Sequence, residues 1–291
     1  MCFCYNIFDG VSMKAFGVRD LCNLARESNV SNRRLAIGTA TAGRVGAAHR
    51  TGGPMRNLEQ ALGFVPADLE ESLCPVPSET RRVVFRAKKA LVGLVYDAAA
   101  LEGSPYTFPE VHTLLDGYTV GGHRLEDERL VLNLRDAWTL LFSLVLSDQF
   151  SWSQETYCTL HAKVAFEEAL TWGTFRNEAV SVAGTTAYVA PPWQTLSARY
   201  QEGIDSLATI DHPFIRSLNF FLFGAINQFF FDGNKRTARL MMNGALMTHG
   251  YDAISIPAAR RSEFNLKMLR FYDHRDGTDM GNFLVQCISS I

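Results

Sequence analysis

The sequence predicts a mainly α-helical protein that carries one short β-hairpin. Several long segments repeat apolar residues at the helical period, most clearly Leu130, Leu134, Ala137, Leu140 and Leu141 within Leu125–Leu146. Strand-like alternation occurs in one place: Ala179-Val180-Ser181-Val182, a turn at Gly184-Thr185, then Ala187-Tyr188-Val189, ended by Pro191-Pro192. No alternation of strands with helices is visible, which disfavours Rossmann-type and P-loop folds.

The helical pattern begins near Glu79. Lys88–Ala100 places Leu91, Leu94 and Val95 at helical spacing, with few breakers after Gly93. Leu125–Leu146 follows, then Gln154–Thr171 and Pro213–Phe230 on either side of the hairpin. Lys235–Thr248, Ser262–Tyr272 and Thr278–Cys287 complete the series. Residues 80–291 therefore read as the main domain and residues 1–75 as a separate, less defined segment. Within that segment, residues 37–54 are rich in Gly, Ala and Thr and read as a loop or linker.

The head of the chain has its own character. Residues 20–35 space Leu24, Ala25, Val30 and Leu35 like the core of a helix-turn-helix. Asn29 suits the turn, Ser31 a cap, and Arg33 and Arg34 DNA phosphates. Any two short amphipathic helices share this look, and the glycine-rich sequence that follows makes a poor third helix. Residues 1–60 hold 8 Lys/Arg against 4 Asp/Glu, while the remainder holds 20 against 26. A basic head on an acidic body suggests two units.

Composition excludes some classes. The 291 residues are 47% hydrophobic, enough for a sizeable core, yet no apolar run reaches the roughly 18 residues of a membrane span. The start, Met1-Cys2-Phe3-Cys4, lacks a signal-peptide pattern. The six cysteines are scattered without a Cys-x-x-Cys, which argues against zinc and disulfide scaffolds and fits a reducing cytoplasm.

The stretch Gln228-Phe229-Phe230-Phe231-Asp232-Gly233-Asn234-Lys235-Arg236-Thr237-Ala238-Arg239 carries the chemistry. Gly233 lets the backbone approach a ligand closely, and free amides at a helix start face an anion. Lys235, Arg236 and Arg239 add charge-assisted donors, and Arg236 and Arg239 share one helix face. Asp232 is placed to hold the magnesium that accompanies a nucleotide triphosphate. An Asp-Gly-Asn turn before a basic helix is by itself commonly a solvated loop; the full string is much rarer.

That string resembles the signature of the Fic (Fido) family, His-x-Phe-x-Asp/Glu-Gly-Asn-Gly/Lys-Arg-x-x-Arg. Phe230, Asp232, Gly233, Asn234, Lys235, Arg236 and Arg239 match; Gln228 stands where the family carries its catalytic His. The resemblance extends over about Lys88 to Leu284. It includes Leu160-His161, Gly173-Thr174-Phe175-Arg176 leading into the family's flap, and Tyr188-Val189-Ala190-Pro191-Pro192 at its exit. Upstream, Ala98-Ala99-Ala100-Leu101-Glu102-Gly103 resembles the inhibitory motif Ser/Thr-x-x-x-Glu-Gly/Asn, with Ala98 in place of the hydroxyl residue.

The resemblance implies a Fic-type helical bundle with a β-hairpin flap that moves AMP from ATP to a Ser, Thr or Tyr hydroxyl of a target protein. Asp232 would coordinate Mg²⁺. Gly233, Asn234, Lys235, Arg236 and Arg239 would bind the phosphates. Val180, Ser181, Val182 and Tyr188 would form the flap that pairs with the target. Glu102 would pair with Arg239 and block productive ATP binding. A homodimer is compatible with this reading.

Gln228 can hydrogen-bond a hydroxyl but cannot take its proton. A base adds about 10²–10⁴-fold, so Gln228 predicts a weakened transferase, a silent nucleotide binder or an inactivated variant of an ordinary enzyme. A regulator with a DNA-binding head at residues 20–35, and a toxin restrained by Glu102, are the competing functions. No other histidine is placed to serve as the base: His161 reads as a core residue, His212 lies about 24 Å along a helix from Gln228, and His112 and His123 lie away from the motif.

Overall fold

The computed structural model describes residues 58–288. The head read as a helix-turn-helix lies outside them. Eleven α-helices are described: α1 (Leu58–Leu62), α2 (Thr80–Lys89), α3 (Leu91–Glu102), α4 (Phe108–Leu115), α5 (Leu125–Leu146), α6 (Gln154–Val164), α7 (Leu196–Leu207), α8 (Pro213–Asn227), α9 (Asn234–Thr248), α10 (Arg261–His274) and α11 (Thr278–Val285). Among the described residues no helix is long and apolar enough to cross a membrane.

The centre is the pair α8 and α9, joined by the loop 228–233. From Ser217 onward α8 is buried throughout, and α9 is buried from Asn234 to Met247 except at Lys235. A helix buried on every side has no solvent face and takes the middle of the bundle. The two pack closely where Gly224 meets Ala238; a Cβ at Gly224 would lie 2.7 Å from the Ala238 Cβ. The other helices pack around this pair, α5 and α6 against α9, and α7 and α11 against α8. Leu62, Phe64, Ala67 and Leu69 are buried in the same core. Asn219 ties that early segment to α8, its amide exchanging hydrogen bonds with the Ala67 backbone at 2.8 and 3.0 Å.

Helix periodicity held best where no breaker intervenes: Leu125–Leu146 is one helix with the expected bounds. Lys88–Ala100 instead straddles a break at Ala90, which separates α2 from α3. Gln154–Thr171 ends seven residues early, at Val164, and Glu167 then takes a left-handed φ of 55°. The helix before the loop ends at Asn227 because Gln228 turns left-handed, with φ 44° and ψ 59°.

The β-hairpin is corrected. Among the described residues the one β-bridge is an isolated parallel pair, Val65 with Asp276. Residues 177–190 run as two arms around a turn at Val182–Thr185, without a ladder. The amides of the second arm are satisfied from elsewhere. The Asp273 carboxylate accepts from the backbones of Thr186, Ala187 and Tyr188 at 2.9–3.2 Å. An amide committed to a carboxylate cannot serve a ladder.

Candidate functional site

The loop between α8 and α9 is built by its own side chains. Asn234 folds back on Phe230, its Oδ1 accepting from the Phe230 amide at 2.9 Å and its Nδ2 donating to the Phe230 carbonyl at 2.8 Å. The same Nδ2 donates to Gln228 Oε1 at 3.1 Å. Gln228 Nε2 donates to the Ala225 carbonyl at 2.7 Å and to the Tyr272 hydroxyl at 3.3 Å. Both ends of the Gln228 side chain are therefore occupied, by groups on α8, α9 and α10, and the residue is only 8% exposed. The Asn234 side chain likewise shapes the loop. Gly233, with φ 71°, caps α9. A Cβ there would crowd Val164 and Ala165 at 3.3 and 3.4 Å, so the position favours glycine on both counts. The amides of Asn234, Lys235 and Arg236, in the first turn of α9, have no preceding helical carbonyl to bond.

His161 supports this turn from below. Its Nδ1 accepts from the Gly173 amide at 3.0 Å, which places the ring proton on Nε2, donating to the Asp232 carbonyl at 3.0 Å. The ring lies flat on Phe230, centroids 3.6 Å apart. Burial, reinforced by the nearby Arg236 charge, lowers its pKa to about 4. His161 is thus a neutral structural residue, as expected from its core position. Arg176, 2% exposed, donates from each of its three guanidinium nitrogens to a backbone carbonyl: Gln228 at 2.6 Å, Glu178 at 2.7 Å and Pro191 at 2.6 Å. It fastens both roots of the 177–190 segment to the loop. Tyr188 adds a hydrogen bond from its hydroxyl to the Ile226 carbonyl and packs on Tyr272. Val180, Ser181 and Val182 lie on the first arm, with Ser181 exposed.

Three cations and three carboxylates meet at the start of α9. Arg239 Nη2 lies 3.4 Å from Glu102 Oε1, and Lys235 Nζ 3.8 Å from Glu102 Oε2. The Arg239 guanidinium also rests on the Phe264 ring at 5.5 Å. Arg236 Nη1 binds Glu168 Oε2 at 2.6 Å, and its Nη2 lies 3.7 Å from Asp232 Oδ1. Burial opposes the charge on Glu102, but Lys235, Arg239 and Arg236 outweigh it and hold the carboxyl below its usual range. The two arginines move in opposite directions. Burial lowers the Arg239 pKa and Glu102 only partly offsets this. For Arg236 the same burial is overcome by Glu102, Glu168 and Asp232, so its pKa rises.

Asp232 exposes 66% of its side chain. Its Oδ1 accepts from the Gly233 amide at 2.6 Å. The described residues contain no group of three or more His, Cys, Asp or Glu able to hold a metal by themselves. One hard, exposed carboxylate fits magnesium in a particular way: the ion would take its other ligands from nucleotide phosphate and water.

Sequence reasoning brought together Glu102, Asp232, Gly233, Asn234, Lys235, Arg236 and Arg239, and the structure places them in one site. Glu168, Asn133, Tyr272 and Asp273 escaped it. The contacts they make span 33 to 87 residues of chain, and no local pattern marks them. Arg176 was visible only as part of a motif.

Residues 151–246 match the family model described as Fic/DOC family. The protein adenylyltransferase Fic of Drosophila erecta is 24% identical over 243 residues, covering 82% of this chain and 48% of that protein. The protein of the same name from Nematostella vectensis is 23% identical over 242 residues, covering 80% and 55%. The chain thus spans about half the length of these curated relatives. Among solved structures, Fic-1 from C. elegans aligns with a TM-score of 0.62 at 20% identity, covering 76% of this chain and 66% of that one. A Fic domain containing signaling protein from Bacteroides thetaiotaomicron aligns with a TM-score of 0.61 at 20% identity, covering 79% and 91%. These likenesses establish the fold.

Proposed function

We propose that this chain, which carries a Fic/DOC-family domain at residues 151–246, binds ATP with magnesium and transfers AMP to a hydroxyl of a target protein, under restraint by Glu102. The observation that carries the reading is the Glu102–Arg239 contact at 3.4 Å within a single chain, at the mouth of an amide-lined turn. A carboxylate on that guanidinium occupies the place a terminal phosphate would take.

In the reaction the target hydroxyl oxygen attacks the α-phosphorus, the bond to the bridging oxygen of the β-phosphate breaks, and pyrophosphate leaves. The first-turn amides of α9, with Lys235, Arg236 and Arg239, position the phosphates and meet the developing charge. Magnesium, when bound at Asp232, neutralises phosphate charge. The first part of the segment, residues 177–182, offers backbone to the target, and Arg176, Tyr188 and Asp273 hold the segment to the bundle. The hydroxyl proton has no base to go to at Gln228, whose amide oxygen is already engaged by Asn234. It leaves to solvent, and transfer is slow. The scattered cysteines favour a reducing compartment such as the cytoplasm.

A second reading is nucleotide binding without transfer, favoured by the fully engaged Gln228 side chain. The test is ATP labelled at the α-phosphate, with magnesium and a host lysate, using the parent, Glu102→Gly, and Glu102→Gly with Gln228→His. We expect no label on the parent, weak label with Glu102→Gly and strong label with the double variant. Label only when His is restored selects the second reading. No nucleotide binding by Glu102→Gly sinks both.

A further inference from the structure

Arg236 is buried, 5% exposed, and its tightest partner lies outside the loop. Glu168 sits on the unwound segment after α6. Its Oε2 takes Arg236 Nη1 at 2.6 Å and its Oε1 takes Asn133 Nδ2 at 2.7 Å. Asn133, on α5 and 6% exposed, cannot present its oxygen instead: the same Nδ2 also donates to the Phe166 carbonyl at 2.9 Å. Two donors of fixed orientation thus converge on the two oxygens of one side chain. Only a carboxylate satisfies both, because an amide would turn its own NH₂ toward a donor.

This arrangement takes one end of the guanidinium and leaves the other. Nη1 is held by Glu168, with a longer bond to the Val164 carbonyl at 3.4 Å, while Nη2 faces Asp232 across 3.7 Å, toward the exposed lip of the loop. We propose that Glu168, oriented by Asn133, is a positioning residue that fixes Arg236 with its Nη2 edge turned to the lip of the loop, where a nucleotide phosphate would meet it. For its nucleotide arm this inference rests on the function proposed above. The mechanism is pre-organisation: a long cation already held in one rotamer loses little freedom on meeting the phosphate.

The test uses the full chain with Glu102→Gly, alone and combined with Glu168→Gln. One readout is the Arg236 side-chain Nε–H resonance, assigned by its loss in Arg236→Lys; it needs no nucleotide. The other is the affinity for magnesium–ATP against that for adenosine. We expect Glu168→Gln to broaden the Arg236 signal and weaken magnesium–ATP binding about tenfold, because the freed side chain must then be ordered on binding, with adenosine binding unchanged. Asn133→Ala moves both readouts the same way by less, and serves if Glu168→Gln folds poorly. An unchanged Arg236 signal overturns the proposal. So does tighter ATP binding, which makes Glu168 a second competitor, or a parallel loss of ATP and adenosine binding, which makes it merely structural. If Glu102→Gly binds no nucleotide, the proposed function falls, and the resonance still decides whether Glu168 orders Arg236.

Discussion

Arg236 and Arg239 stand one turn apart on α9, and the protein holds them by different means. Arg236 has a 2.6 Å bond to Glu168, which is itself held by Asn133. Arg239 has one long contact, 3.4 Å to Glu102, and its Nη1 is buried without a partner. An unsatisfied buried donor costs about 1–3 kcal/mol. The first arginine is built in; the second is held by the longer and weaker contact, which in the function proposed above a phosphate would replace. A latch has to be the weaker of the two contacts.

The largest expected effect breaks the built-in side. Arg236→Met should leave Glu168 without its charge partner and lower stability by about 3 kcal/mol, as breaking a buried pair does. Arg239→Met removes an ill-satisfied donor and leaves Glu102 its contact with Lys235, so it should cost no more than about 1 kcal/mol. Urea unfolding of the two variants side by side measures the difference. Equal losses would mean that the two arginines are held alike.

The neighbour of Arg236 gives a pH signature of similar size. His161 titrates at about 4 in the fold against an ordinary value of 6.5. Between those values the unfolded chain binds the proton and the folded one does not, so stability falls as the pH drops through 6.5 and levels off near 4. The full contribution, present above 6.5, is about 3 kcal/mol. Unfolding free energy measured from pH 7 to pH 4 should show this slope in the parent, and His161→Gln should flatten it.

On the latch side, Glu102→Gly should lower the stability of the nucleotide-free protein by about 2 kcal/mol, because Arg239 loses its partner. Magnesium–ATP should then raise its melting temperature well above any shift seen with the parent, since a ligand that binds only the native state stabilises by mass action. A thermal melt with and without nucleotide reads both effects. Equal shifts in parent and variant would remove Glu102 from the role of competitor.

The two sides also differ in how readable they were. Glu102 and Arg239 were legible because each lies in a short local pattern: a helix ending in Glu-Gly, and a turn running into a basic helix. Glu168 was not. Periodicity carried the helix on to Thr171, whereas the chain unwinds at Ala165 and turns left-handed at Glu167. That turn, not the helix, delivers Glu168 to Arg236, 68 residues later in the chain. The hairpin failed for a related reason. Alternation at 179–189 is a property of extended backbone, and whether two extended arms pair depends on what else claims their amides. Here the claimant is Asp273, more than 80 residues away. Gln228 was seen as a departure, but its bonds to Ala225, Tyr272 and Asn234 give the substitution a structural role that its identity alone did not disclose.

The smallest effect tests the latch most directly. Ala98 lies one turn before Glu102 on α3 and lines the same small cavity as Arg239, Asn243 and Ser255. No described group accepts from Arg239 Nη1. A hydroxyl introduced by Ala98→Ser supplies an acceptor on the helix face that already carries Glu102, because positions i and i+4 lie one above the other. The orphan donor would then be satisfied in the latched state alone, adding about 1 kcal/mol to it. That corresponds to roughly a fivefold weaker apparent affinity for magnesium–ATP in the parent background. In the Glu102→Gly background the latch is gone, and Ala98→Ser should leave the affinity within about twofold. An equal effect in both backgrounds would mean that the serine acts on the pocket itself, and the looseness of Arg239 would then have nothing to do with release.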